Sequence, residues 1–272
     1  MRITTIVQCK NEEKILPFFL DYYTSFCDEI IFFDGNSSDS SHDIIKSYLK
    51  NNHKCNIELR ITDSIGVLDN IDEETIVKEL NYNYNLSNGW NRNNGYKHLY
   101  TSHINDWILI VDCDEFFYHK DGVRNKLEQL QQEGISLPDT MGYNMVSKTF
   151  PKYIKDKFIF DQIKLGFYYK DQCKPTAFNS KMITNINLEP GCHWAKPEGN
   201  VVIGKEQDKD KLKLLHFRFL GVDYVNKLAE FKFNDLSDIN KKSGWGIHYE
   251  EHKNLKDEYF DMLLRDCKLV ID

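Results

Sequence analysis

Residues 107–115 read WILIVDCDE, an apolar run that ends in acidic residues. Five large apolar residues in a row, most of them β-branched, indicate a strand buried on both faces, as at the centre of a parallel sheet. Asp112, Asp114 and Glu115 then lie at the carboxyl edge of that sheet. In open α/β sheets the loops that leave this edge form the ligand-binding crevice. The stretch therefore predicts both the architecture and the place of the site.

The two aspartates predict a cation site. If the strand continues through them, Asp112 and Asp114 point to the same side while Cys113 points away. Like charges at this distance are costly unless positive charge lies between them. A divalent ion such as Mg²⁺ or Mn²⁺, held by oxygen ligands and substrate phosphates, meets that need. The alternative is that Asp-x-Asp only ends the strand, because acidic residues are common in turns.

Composition limits the class of protein. The chain has 272 residues, is 41% hydrophobic and carries a formal net charge of -7. A single large domain with a substantial core is expected, and a general nucleic-acid binder, which needs a basic face, is disfavoured. The seven cysteines include no Cys-x-x-Cys pair, which favours reduced thiols in the cytoplasm. Neither a signal peptide nor an apolar run of membrane-spanning length is evident, so any membrane contact is expected to be peripheral.

The first part of the chain alternates strands and helices. Strands are predicted at 3–9, 29–34 and 57–62, with a helix from about residue 15 between the first two strands and another up to Asn51. Ser40 and Asp43 have the spacing of a capping box for the second helix. This alternation predicts βαβ units and a parallel sheet. Residues 63–88 are acidic and rich in Asn, and we expect a long loop there.

Four motifs in this order carry a family resemblance: VQCKNE at 7–12, FDGNSSD at 33–39, NRNNG at 91–95 and DCDE at 112–115. Together they resemble the ordered signatures of GT-A glycosyltransferases, in particular their family-two-like branch, over about the first 120 residues. The resemblance implies an α/β, Rossmann-like fold with a central, mostly parallel sheet flanked by helices and a smaller acceptor-side lobe. It implies one compact domain, with residues 1–135 binding the nucleotide-sugar and residues 136–272 supplying the acceptor half and C-terminal helices.

The resemblance also implies roles for single residues. Asp114 is the expected main metal ligand, Asp112 a ligand of the metal or the ribose, and His216 a third metal ligand, with Mn²⁺ or Mg²⁺ as the ion. Without the resemblance, His216 reads more simply as a core histidine. The second strand ends Phe-Asp-Gly where many relatives have adjacent aspartates, which leaves the base open. The residues expected to bind the nucleotide-sugar are Val7, Asn11, Glu12, Asp34, Arg92, Asp112 and Arg218.

The second half offers candidates for the acceptor and the general base. Strands are predicted at 141–150, 158–169, 181–187 and 213–219, and helices at 121–133, 223–234 and 255–267. His193, Trp194 and Trp245 are expected at the acceptor. Glu189 and Glu198 are the candidates for the base, with Asp161 a weaker one. None of these carboxylates differs by sequence from an ordinary solvated one.

The predicted activity is metal-dependent transfer of a sugar from a nucleotide-sugar to a glycan, glycolipid or other hydroxyl acceptor, with inversion, in polysaccharide biosynthesis. UDP is the expected carrier and GDP stays open. Two other classes stay open too, namely a sugar-phosphate nucleotidyltransferase and a non-catalytic carbohydrate-binding relative. The first would use the same sheet edge but lacks a Gly-rich phosphate loop here, and the second need not have kept both aspartates.

Overall fold

The computed structural model describes residues 1–51, 54–61, 99, 106–188, 192–236, 241, 244 and 246–271. Its strands are β1 (Ile3–Cys9), β2 (Glu29–Asp34), β3 (Asn56–Ile61), β4 (Trp107–Asp112), β5 (Glu115–Tyr118), β6 (Met141–Ser147), β7 (Leu165–Tyr168), β8 (Ala177–Asn179), β9 (Ile183–Asn185), β10 (Glu198–Gly199), β11 (Lys213–Leu220) and β12 (Lys268–Leu269). Its helices are α1 (Leu16–Tyr23), α2 (Ser41–Asn51), α3 (Val123–Gln132), α4 (Val222–Asn234), α5 (His248–His252) and α6 (Asp257–Asp266).

The first sheet is the predicted parallel one. Its strand order is β3-β2-β1-β4-β8, with β1 to β4 parallel and β8 antiparallel to β4. Helices α1 and α2 connect its first three strands. The α/β class with a mostly parallel central sheet is thus confirmed. The predicted loop at 63–88 and the motif at 91–95 lie outside the described residues.

The second sheet has the order β12-β7-β6-β11-β5. Strand β11 is parallel to β6 and antiparallel to β5, and β7 is antiparallel to both β6 and β12. Strand β5 begins three residues after β4 ends, so the chain passes from the first sheet to the second within the DCDE stretch. Residues that end one sheet and begin the other therefore meet at this junction.

One hydrophobic core connects the two sheets. It joins Val7 and Trp107 of the first sheet with Phe116 and Phe217 of the second, each with no exposed surface. Burying a side chain of this size stabilises a protein by roughly 1.5–3 kcal/mol. Helix α1 adds specific contacts, because the Tyr22 hydroxyl donates to the Phe117 carbonyl at 2.7 Å. The Tyr23 hydroxyl donates to the Glu115 carbonyl at 2.9 Å. These two hydrogen bonds hold β5 beside the first sheet.

Several predicted boundaries change. The predicted strand at 158–169 is wrong in its first half, where a 3₁₀ turn at Ile159–Asp161 precedes the short β7. Asp161 accepts the Phe158 N–H at 2.8 Å, which makes the turn the locally satisfied conformation. The Ser40–Asp43 capping box is also wrong, since Asp39 Oδ1 accepts the Ser41 N–H at 2.9 Å. All seven cysteines are free. Within the described part of the chain, no helix is both long and apolar enough to cross a bilayer.

Candidate functional site

The loops that follow β1 and β2 are joined by hydrogen bonds. Asn11, at a positive φ of 55°, donates its backbone N–H to Ser37 Oγ at 2.8 Å and accepts the Ser38 N–H at 2.7 Å. Glu12 donates its backbone N–H to Ser41 Oγ at 2.9 Å. The serine-rich turn of the sequence is therefore the support of the Asn11–Glu12 loop. Asn11 and Glu12, which are both predicted to bind the nucleotide-sugar, follow β1 at the carboxyl edge of the parallel sheet.

Asp34, predicted to face a nucleotide, has its oxygens engaged within the protein. It has no exposed surface, and Oδ1 accepts the Ser37 backbone N–H at 3.0 Å and the Ser37 hydroxyl at 2.6 Å. Its other oxygen contacts His42 Nε2. Val7, predicted with it, is a fully buried core residue of β1. In this structure Asp34 shapes the β2–α2 turn, and Val7 packs in the core.

The reason for expecting Asp112 and Asp114 on one side is wrong. Strand β4 ends at Asp112, and Asp114 lies in the turn to β5, so strand alternation does not govern the pair. Instead, the Asp112 backbone N–H donates to Glu115 Oε2 at 3.2 Å, which closes the turn. The two aspartates still share one electrostatic environment, because both act on the pKa values of Glu12 and Lys232.

Asp114 and His216 form the centre of the site. His216 Nε2 lies 3.2 Å from Asp114 Oδ2, and its Nδ1 lies 3.0 Å from Asn144 Oδ1. Sheet register explains this placement, since His216 pairs with Glu115 on β5 and with Asn144 on β6. Burial raises the pKa of Asp114, but His216, Lys232 and Arg218 outweigh it and hold that pKa well below its usual range. Asp114 is thus ionised although it is only 2% exposed.

Glu115 is a buried carboxylate that orders the junction. It has no exposed surface, and Oε1 accepts the Gln172 side-chain amide at 2.7 Å and forms an ion pair with Lys174. Burial raises the pKa of Glu115, but the Lys174 ammonium and His216 outweigh burial and lower this pKa to about 2. Since Oε2 also holds the Asp112 N–H, Glu115 ties the 172–174 segment to the Asp112–Asp114 turn.

Positive side chains surround the aspartates. Lys232 Nζ lies 3.7 Å from Glu12 Oε1, and burial outweighs this contact and raises the pKa of Glu12 to about 8. Arg218 Nη2 lies 3.2 Å from His252 Nδ1 and its guanidinium stacks over the Tyr249 ring at 4.8 Å. Among the described residues Arg218 forms no ion pair with a carboxylate. The site therefore holds cationic charge that an anionic ligand can use.

The residues fit a divalent ion that is shared with a ligand. Octahedral ions with ligand distances of about 2.0–2.1 Å place adjacent ligand atoms roughly 3 Å apart. His216 Nε2 and Asp114 Oδ2, in direct contact at 3.2 Å, are close enough to bind one ion together. No group of three or more His, Cys, Asp and Glu side chains could hold a metal within the described ranges. An ion here would complete its shell with phosphate oxygens and water, as Mg²⁺ commonly does.

Two of the predicted acceptor residues, His193 and Trp194, lie beside the 170–172 turn. His193 Nδ1 contacts the Asp171 carbonyl at 2.5 Å, and Lys170 Nζ lies 5.8 Å from the ring of Trp194, which is 60% exposed. Since Gln172 of the same turn bonds Glu115, this aromatic surface is connected to the junction. Glu198 is exposed on β10 and accepts the Asn187 side-chain amide at 2.8 Å. Arg92, Glu189 and Trp245 lie outside the described residues.

Four residues of the site escape the sequence patterns: Asn144, Lys174, Tyr224 and Lys232. Asn144 and Lys174 sit in segments with no motif, and their roles depend on contacts with residues 72 and 59 positions away. Lys232 lies on the amphipathic helix α4, where a lysine side chain is usually exposed to solvent. The Tyr224 hydroxyl is buried without a hydrogen-bond partner in the described part of the chain. Burial, Glu12 and Asp114 raise the pKa of this hydroxyl, so it keeps its proton and stays a hydrogen-bond donor.

Comparisons with solved structures find glycosyltransferases. Residues 1–349 of TarS from S. aureus, in complex with UDP, match at 12% identity and a TM-score of 0.46, over 97% of this chain and 70% of that one. The mannosyltransferase PcManGT from Pyrobaculum calidifontis, in complex with GDP-Man and Mn²⁺, matches at 10% identity and a TM-score of 0.40, over 97% and 73%. The mannosyltransferase Ktr4p from S. cerevisiae, in complex with GDP, matches at 16% identity and 0.32, over 56% and 41%.

No family model matches the chain, and no curated protein matches it in sequence. The three solved structures are 10–16% identical to this chain, with TM-scores of 0.46 or less. At this identity and TM-score they assign no activity to this chain by themselves.

Proposed function

We propose that this protein is a metal-dependent glycosyltransferase that moves a sugar from a nucleotide-sugar to a hydroxyl group of a glycan or glycolipid. The observation that carries the proposal is the contact of Asp114 with His216 at the junction of the two sheets, 3.2 Å apart. It lies at the carboxyl edge of the parallel sheet, where ligands of α/β proteins bind. The resemblance of the four ordered motifs, the last of which contains Asp114, supports the same reaction class.

The site suits a diphosphate leaving group. Asp114 and His216 would hold the divalent ion, with Asp112 beside them, and the ion would supply Lewis-acid stabilisation of the leaving phosphates. Arg218 and Lys232 add positive charge, and the Tyr224 hydroxyl is a further donor. Preorganised charges of this kind stabilise charge that develops in the transition state. Asn11 and Glu12 are proposed at the nucleotide, and UDP-sugars are the first donors to test, with GDP-sugars next.

The acceptor side is proposed at the exposed Trp194 and His193, with Trp245. Aromatic rings stack on the apolar faces of sugars, and Trp194 offers such a ring to solvent. An inverting displacement needs a carboxylate to take the proton of the acceptor hydroxyl. Glu198 and Glu189 are the proposed bases. The seven cysteines of the chain are free thiols, which suits a reducing compartment. We therefore propose that the enzyme works in the cytoplasm, in polysaccharide biosynthesis.

Nucleotide binding tests the proposal directly. UDP and GDP are titrated into the protein by calorimetry, with Mn²⁺ and then with a chelator, for the wild type, Asp114→Asn and His216→Ala. We expect binding that needs Mn²⁺ and weakens by at least about 10-fold in both variants, the scale on which metal sites respond to altered ligation. Asp121→Asn, at a carboxylate whose side chain is 69% exposed, is the matched control and should bind normally.

Three outcomes contradict the proposal. Binding of nucleoside triphosphates alone would favour nucleotidyl transfer, and binding of free glycans without any nucleotide would favour a carbohydrate-binding protein. Equal nucleotide binding with and without Mn²⁺ would contradict the proposed metal dependence. Product analysis by mass spectrometry, with mixed UDP- and GDP-sugars and oligosaccharide acceptors, then identifies the transferred sugar.

A further inference from the structure

We propose that the surface formed by the outer face of α2 and the 152–157 loop, here called the lysine face, binds anionic lipid bilayers. The proposal goes beyond sugar transfer and does not depend on it. The lysine face combines exposed apolar side chains with unpaired positive charge in an otherwise acidic chain. Its members are Lys46, Leu49, Lys50, Lys152, Tyr153, Ile154, Lys155 and Lys157.

The two segments form one continuous surface. Tyr48 of α2 and Tyr153 of the loop both donate to Asp21, at 2.5 and 2.7 Å, and their hydroxyls are 3.3 Å apart. The Tyr153 ring also packs edge-on against Phe18 of α1 at 5.4 Å. These contacts hold the loop against α1 and α2, so the face is preformed.

The apolar part of the face is exposed. Leu49, Tyr153 and Ile154 are 39%, 38% and 40% exposed. In the loop, Tyr153 and Ile154 lie between Lys152 and Lys155, and on α2 Leu49 precedes Lys50. Apolar side chains rimmed by long basic ones are typical of segments that insert at the boundary between headgroups and acyl chains.

The charge selects the partner. The chain as a whole carries a formal charge of -7, yet the lysine face presents five lysines, against the exposed aspartates Asp43 and Asp156 in the same segments. None of these five lysines forms an ion pair within the ranges that the structure describes. Lysines at the surface of an anionic membrane each strengthen binding by about fivefold. A flat anionic surface with an apolar interior therefore complements both features of this face.

The face lies next to the candidate site. Phe150, which leads into the loop, packs on Tyr224 with ring centroids 4.6 Å apart. Lys14 lies over both rings, at 5.7 and 5.9 Å. A bilayer bound at the lysine face would thus be near the residues around Asp114, as transfer to a lipid-linked acceptor requires.

Co-sedimentation with lipid vesicles tests the proposal without any substrate. The full chain is spun with vesicles of phosphatidylcholine and phosphatidylglycerol in equal parts, and with phosphatidylcholine vesicles. We expect binding to the mixed vesicles only, and weaker binding at high salt. The triple variant Lys152→Glu, Lys155→Glu, Lys157→Glu should lose at least about 100-fold in partition coefficient, given the contribution of each lysine. Ile154→Ser should lose several-fold while keeping the preference for anionic lipid.

A charge-matched control separates the lysine face from net charge. The exposed lysines Lys205, Lys209 and Lys256 are changed to Glu together, and this variant should bind like the wild type. Thermal melting confirms that every variant is folded. Equal loss in the two triple variants, or no sedimentation of the wild type, overturns the proposal. Self-association that the loop variant abolishes, without lipid binding, would instead assign the face to a second copy of the chain. Nucleotide titrations report on the transferase proposal separately.

Discussion

At the residue scale, the pair of Glu115 and Lys174 links stability to the site. The two charges are buried together, with side chains 1% and 8% exposed. Such a pair contributes little relative to apolar residues, but the loss of one partner is costly because the other charge stays buried. Glu115 therefore holds the junction in place as long as Lys174 is opposite.

We predict that Glu115→Gln lowers the free energy of unfolding by about 3–5 kcal/mol at neutral pH, because Lys174 loses its counter-charge. Urea denaturation measures this loss. The pKa of Glu115 is about 2 in the folded protein and 4.5 in the unfolded chain. Glu115 therefore makes its full contribution to the free energy of unfolding at pH values above 4.5. The contribution disappears as pH falls toward 2, so the variant and the wild type should converge there.

Lys174→Met in the Glu115→Gln background should restore part of the stability, since no buried charge is then left alone. A single variant that costs less than about 1 kcal/mol at neutral pH would show that the pair is solvated and that its geometry does not govern the junction.

Glu12 gives the opposite dependence on pH. Its pKa is raised from 4.5 to about 8, so the folded protein keeps a proton that the unfolded chain loses. Both states are protonated below pH 4.5, and stability falls as pH rises from there to about 8. With a chelator present, Glu12→Gln should match the wild type near pH 4.5 and be increasingly more stable up to pH 8. Melting temperatures across this range measure the effect, and parallel curves would contradict it.

At the element scale, the approach of β6 to the 170–172 turn is close. A Cβ on Gly142 would lie 2.2 Å from the backbone carbon of Gln172. Backbone atoms cannot move aside as a flexible side chain can, so the turn itself would shift. Gln172 bonds Glu115, so such a shift would reach the junction.

Gly142→Ala should therefore cost at least about 2 kcal/mol of unfolding free energy, within the range for overpacked sites. It should also weaken Mn²⁺-dependent nucleotide binding. Gly134→Ala is the matched control, with a φ of 73° and no atom within 4 Å of the added Cβ. Its cost is the backbone term alone, about 1–2 kcal/mol, and nucleotide binding should be unchanged. Denaturation and calorimetry on both variants decide between them.

At the scale of the whole molecule, the core crosses from one sheet to the other. Trp107 of β4 and Phe217 of β11 belong to the same buried cluster. The proposed halves, residues 1–135 and 136–272, therefore share their apolar interior. Segments that share one core lose it together when either unfolds.

We predict one cooperative unfolding transition. Far-ultraviolet circular dichroism and tryptophan fluorescence should give coincident denaturation curves, because backbone structure and side-chain packing are lost together. Two separated transitions would show that the halves are independent domains. A saturating nucleotide with Mn²⁺ should shift the single midpoint upward if the proposed site binds it in the folded state only.

Local pattern was sufficient for the four parallel strands of the first sheet, but it did not predict the antiparallel strand β8. Apolar strands alternating with amphipathic helices predicted β1, β2, β3 and β4 within a residue or two, because each strand is a short apolar run with polar turns at its ends. It also predicted that acidic residues end β4 at the sheet edge. The predicted helix at 121–133 is α3 (Val123–Gln132), which ends two residues before Gly134 with its positive φ.

The sequence by itself determined the parallel sheet and the position of Asp112 and Asp114 at its edge, since both depend on neighbours in the chain. The tertiary structure alone decided which side chains meet them. His216 is 102 residues from Asp114 and reaches it through the register of β11 with β5. Strand register, the Lys174 and His216 charges that lower the pKa of Glu115, and the burial that raises the pKa of Glu12 all arise from contacts between distant segments. Periodicity along one segment carries no information on such contacts. His216 was therefore expected near Asp114 only through the family resemblance, and the roles of Asn144, Lys174 and Lys232 emerged only from the fold.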